Sequence, residues 1–98
     1  MKGRVEEVKR KLAGLKPILK ERFKVESIGF FGSYVREEEK RKSDLDVLVE
    51  FSEPVGFFEF FDLEEFLSEE LGVKVDLVMR RSLKSRIKER IIKETIYI

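Results

Sequence analysis

Apolar residues recur three or four positions apart near the start of the chain, at Val5, Val8, Leu12, Leu15, Leu19 and Phe23. That spacing predicts amphipathic helix over residues 4–23. Gly14 and Pro17 interrupt the pattern, and the expectation is two short helices rather than one. "VESIGFF" then reads as a strand. Gly32-Ser33 ends it, with Ser33 placed to cap a short helix through "YVREEE", and "KRKS" reads as a polar loop. "DLDVLVEF" alternates strictly. Leu45, Val47, Val49 and Phe51 fall on one face, and Asp44, Asp46, Leu48 and Glu50 on the other. Pro54 and Gly56 break the chain. "FFEFFDLEEFLSEEL" follows as a helix closed by Gly72. "VKVDLVM" is a third strand, and Ser82 or Ser85 opens a last helix with Leu83, Ile87 and Ile91 on one side.

Strands with helices before, between and after them predict a two-layer α/β (α+β) domain. The expected sheet is small and mixed, with three or four strands packed against helices on one face. A chain of 98 residues makes this a single domain, 1–98. The helix between the second and third strands could be a crossover between parallel strands, but the pattern leaves strand direction open. Within the central helix, Phe57, Phe60, Phe61, Leu63, Leu67 and Leu71 share a broad face, with Glu64 inside it. Phe58 and Phe66 fall among the acids. They could pack within the domain or anchor a protein partner.

Composition narrows the chemistry. There is no Cys and no His, which excludes disulfides, thiolate chemistry, imidazole bases and the usual zinc sites. Catalysis would have to rest on carboxylates, hydroxyls, Lys or Arg, with a hard, oxygen-bound metal. Asn and Gln are also absent while Lys and Glu abound, which suggests a heat-adapted source. No apolar run approaches the roughly 20 residues of a membrane span. The charged amphipathic N-terminus is unlike a secretory signal, so a cytoplasmic protein is expected. Net charge is +1 but unevenly spread. Residues 53–70 hold seven acids and no base, and residues 80–93 hold seven bases and one acid. These are either two solvated helix faces or two docking surfaces. The basic segment lacks the interleaved aromatics of a nucleic-acid binder, so direct nucleic-acid binding is not expected.

The candidate chemistry lies in three places. Asp44 and Asp46 are two residues apart on a strand, point the same way, and have Cα atoms roughly 6.5 Å apart. Asp76 interrupts an apolar strand, where an acid is costly unless exposed, paired or metal-bound. If the two strands are neighbours, the three carboxylates can share magnesium, which takes oxygen ligands. Gly32 lets backbone approach a ligand closely, Ser33 adds a hydroxyl, and Arg36 lies about one helical turn on. Taken singly, each of these has an ordinary reading as a cap, a turn or a surface acid.

Taken together, "GSYVREEEKRKSDLDVLVEF" resembles the Gly-Ser…Asp-x-Asp signature of the nucleotidyltransferase superfamily. The "SDLDVLVEF" run, the chain length and "VKVDLVMRRSLKSRIKERIIKETIYI" resemble the minimal nucleotidyltransferases in particular, over nearly the whole chain from about Val5. The resemblance implies an antitoxin partnered with a HEPN-domain toxin, transferring AMP from ATP to a tyrosine of that toxin. By position it makes Gly32 and Ser33 the nucleotide-phosphate site, with Arg36 beside them. Asp44 and Asp46 become ligands of magnesium, in a site expected to hold two metals. Asp76 becomes the third carboxylate, assisting deprotonation of the acceptor. One departure stands out: Val35-Arg36-Glu37 replaces the Ala-Arg-Gly of many relatives, which alters the loop and leaves the metal site intact. Two further functions fit the residues. One is a binding module that neutralises a toxin by occlusion, and the other is nucleotidyl transfer to RNA or a small molecule.

Overall fold

A computed structural model describes residues 2–35 and 44–98, the side chains of Lys2, Gly3 and Ser33 excepted. Helix α1 runs over Lys2–Phe23, strand β1 over Val25–Phe31, and a single 3₁₀ turn over Gly32–Tyr34. Strand β2 (Leu45–Phe51), helix α2 (Phe57–Leu71) and strand β3 (Val75–Met79) follow. A second 3₁₀ turn (Arg80–Ser82), helix α3 (Ser85–Glu94) and the short strand β4 (Ile96–Tyr97) complete the chain. The helix expected through "YVREEE", the "KRKS" loop and Arg36 lie outside the described residues.

The strands form one sheet in the order β3-β2-β1-β4. β1 is antiparallel to both β2 and β4, and β2 is parallel to β3. Helix α2 is therefore the crossover of a parallel pair, which settles the strand direction that alternation alone left open. The fourth strand is only two residues long, too short to leave a period in the sequence.

The core lies between one sheet face and helices α1 and α2. Val8, Leu12, Leu19 and Phe23 from α1 meet Ile28 and Phe30 of β1, Leu45, Val47 and Val49 of β2, and Leu63, Leu67 and Leu71 of α2. This continuous stripe explains why α1 is one helix and not two. Pro17 sits inside it and leaves the Ala13 carbonyl without its usual partner, at a cost of about 3 kcal/mol for an interior proline. The apolar residues before and after Pro17 bury on the same surface, which offsets that cost.

Two other expectations shift. Leu48 was expected on an open face, yet it is only 2% exposed. Its register partner is Gly29, and the Thr95 methyl closes over Gly29 on that same side. The end of the chain thus covers part of the second face. Ser85 is the first residue of α3 and not its cap, since Lys84 holds the cap position with no side-chain hydrogen bond.

The acid inside the α2 stripe also has a physical explanation. β3 is an edge strand, and the Glu64 carboxylate accepts the Leu77 N–H at 2.9 Å while Ser68 Oγ accepts the Val75 N–H at 2.9 Å. Both amides belong to the outer edge of the sheet, and α2 satisfies them. Gly72 ends α2 in the left-handed region at φ +70°.

Candidate active site

The β2–β3 register sets Asp46 directly beside Asp76. Neighbouring strands lie roughly 4.8 Å apart, so the two acids share one side of the sheet at one level. The Leu45 N–H donates to the Lys74 carbonyl at 2.9 Å and fixes the register at the point where both strands begin. Asp44 stands just ahead of β2. Asp44 and Asp46 are half-buried, and Asp76 is exposed. Thus Asp44, Asp46 and Asp76 stand at the same end of the sheet.

Among the described residues, no three Asp, Glu, His or Cys side chains converge tightly enough to hold a metal ion by themselves. The donor set still fits magnesium. It consists only of carboxylate oxygens, and magnesium usually takes one or two carboxylates with phosphate oxygens and waters filling its remaining positions. Asp44 and Asp46 would hold it, with Asp76 alongside.

Gly32 approaches this site from β1. Its φ is +82°, and a Cβ placed there would run into the Asp46 carboxylate. Only glycine combines that backbone angle with that contact. Phe31, one residue earlier, is the register partner of Asp46. The turn that follows is one 3₁₀ turn, closed by the Val35 N–H on the Gly32 carbonyl at 3.0 Å. Tyr34 is buried beneath the turn, where its hydroxyl accepts a bond from Arg4 at 3.3 Å. That contact ties the turn to the start of α1.

Sequence reasoning missed Glu94. Its carboxylate accepts the Gly32 N–H at 2.9 Å across 62 residues of chain. One signal was available. Glu94 is the last residue of a basic helix, where the helix dipole disfavours an acid, so a compensating donor was to be expected.

The mixed four-stranded sheet with its helices is of the nucleotidyltransferase type, and the paired carboxylates and the glycine turn are its candidate site. The chain belongs to the nucleotidyltransferase domain family, whose model matches residues 12–98. A candidate protein adenylyltransferase of Methanocaldococcus jannaschii is 48% identical over 95 residues, spanning 96% of this chain and 97% of that protein. The protein adenylyltransferase MntA of Thermococcus cleftensis is also 48% identical, over 94 residues, with 96% and 95% covered. Among solved structures, a protein described as a minimal nucleotidyltransferase superposes with TM-score 0.74 at 37% identity, covering 89% of this chain and 87% of that one. A toxin–antitoxin crystal structure with AMP-PNP gives TM-score 0.72 at 26% identity, covering 90% and 69%. The protein is accordingly an enzyme of the nucleotidyl-transferring class.

Proposed function

We propose that this protein transfers AMP from ATP to a tyrosine hydroxyl of a HEPN-domain toxin and so acts as its antitoxin. The observation that carries this reading is the β2–β3 register, which sets Asp46 beside Asp76 with Gly32 folded against Asp46. It is supported by relatives named protein adenylyltransferases and by the toxin–antitoxin neighbour crystallised with an ATP analogue. No helix among the described residues is long and apolar enough to cross a membrane. The reading places the protein in the cytoplasm with its toxin.

In this reading the tyrosine oxygen attacks the α-phosphorus, the bond to the bridging oxygen breaks, and pyrophosphate leaves. The tyrosine proton passes to a carboxylate, and Asp76, exposed beside Asp46, is the one open to an incoming acceptor. Asp44 and Asp46 would hold magnesium, which would offset the charge of the triphosphate and of the leaving pyrophosphate. Gly32 and Ser33 seat the phosphates, and the sequence motif assigns Arg36 to the same task. Labelled ATP, magnesium and the cognate toxin should yield labelled toxin. The Asp44→Ala, Asp46→Ala double variant should lower that rate by at least about a hundredfold while remaining folded. Equal labelling by the double variant and the wild type would refute the reading.

A second reading, neutralisation by occlusion, is favoured by one observation. Phe57 and Phe58 are 80% and 91% exposed at the start of α2. Phe66, the other candidate anchor, instead packs on Phe23 with ring centroids 5.0 Å apart. Under occlusion the double Asp variant would still protect cells from the toxin.

A further inference from the structure

We infer that Glu94 is a positioning residue that presets the nucleotide-phosphate turn. The inference rests on the reading of Gly32 and Ser33 as the phosphate seat. Gly32 has little freedom on one side, since its Cα lies against the Asp46 carboxylate. Its N–H would otherwise be an unpaired donor in a partly buried turn. The Glu94 carboxylate takes that donor, so the same residue is gripped by a metal-site acid on one side and by the end of α3 on the other.

Glu94 is itself rigidly held. The next residue, Thr95, is buried, and its N–H and hydroxyl both donate to the Ile91 carbonyl, at 3.0 and 2.7 Å. The Thr95 methyl lies over Gly29, where a Cβ would be 2.6 Å away. Ile96 and Tyr97 then pair with Phe30 and Gly29 of β1. The carboxylate therefore projects from a backbone anchored to the same strand that ends in Gly32. A surface acid on a free helix end would lose rotamer entropy by holding such a bond, whereas here the backbone is already fixed.

The role is to keep the turn in its binding shape before nucleotide arrives. A turn that holds this shape only part of the time binds ATP more weakly by the fraction of time it is correct. A charge-assisted bond to one amide is strong enough to make that factor about tenfold or more.

The test uses the intact protein with magnesium-ATP, measured by calorimetry and by AMP transfer to the toxin. Glu94→Ala should raise both the Kd and the KM for ATP by about tenfold and leave the KM for the toxin unchanged. Glu94→Gln keeps a carbonyl acceptor at the same reach and should recover most of the loss. Glu94→Asp keeps the charge but falls short of the amide, and should behave like Glu94→Ala. Amide exchange at Gly32 should quicken in the Ala and Asp variants and be restored in Gln. Should the Ala variant not fold, Asp against Gln carries the comparison. Tighter ATP binding in Glu94→Ala and Glu94→Gln would mean that the carboxylate competes with phosphate, and would overturn the inference. So would loss of Gly32 protection with ATP affinity unchanged. Wild-type protein that binds ATP but modifies no toxin would refute the proposed acceptor and leave the role of Glu94 standing.

Discussion

At Gly32 the backbone turns at φ +82° with the Asp46 carboxylate against its Cα and the Glu94 carboxylate on its N–H. Gly32→Ala should therefore act twice. The left-handed angle alone costs an alanine about 1–2 kcal/mol. The new methyl must also push Asp46 aside, and a displacement of about 1 Å at a reacting centre can cost a hundredfold in rate. The expected outcome is a modest fall in the urea midpoint with a loss of transfer of about a hundredfold or more. A rate loss no larger than the stability loss explains would count against the placement of Asp46 in the site. Asp46 and Asp76 were legible in the sequence because strand alternation has a period of two and both acids break apolar runs. Glu94 showed only as an acid at the wrong end of a basic helix, and its partner was hidden, because a backbone amide carries no residue label.

The same blindness recurs for whole elements. The α2 stripe read from spacing placed Phe57 and Phe61 with the core, yet both are exposed, while Glu64 lies inside the stripe. The helix phase follows the edge of β3: Glu64 and Ser68 must face the Val75 and Leu77 amides, and that turns the first aromatics outward. Glu64→Ala leaves the Leu77 N–H unpaired on a strand that carries Asp76. Equilibrium unfolding should show a loss of about 1–3 kcal/mol, with Glu64→Gln losing less because it still accepts. An unchanged midpoint for Glu64→Ala would mean that water serves that amide equally well. Helix α1 shows the opposite error, since Pro17 read as a break and the continuous core stripe overrode it.

Across the whole molecule, the two ends of the sheet have different characters. The carboxylates stand where β2 and β3 begin, whereas Phe57 and Phe58 follow the far end of β2. Five residues separate Asp46 from Phe51, roughly 17 Å of strand. The double change Phe57→Ser, Phe58→Ser should alter stability by no more than about 0.5 kcal/mol, because both rings are already in water. It should weaken the toxin complex by about tenfold or more if these rings are anchors. Wild-type affinity measured for this variant would remove the patch from the interface. The layers followed from hydrophobic period, whereas the direction of β3, the short strand β4 and the closure at Glu94 depend on contacts that only the folded chain makes.

The bond from Glu94 to Gly32 joins positions 62 residues apart, and the Ile98 amide closes on the Ile28 carbonyl across a still longer span. Part of the support of the Gly32 turn therefore comes from a residue 62 positions further along the chain. The β1–β2 hairpin and the β2–β3 ladder can form before α3, but the Gly32 N–H stays without its Glu94 partner until residues 94–98 fold back. Such sequence-distant closure is slow compared with local pairing. A folding chain would therefore bring Asp46 and Asp76 into register before the Glu94 bond to Gly32 is made.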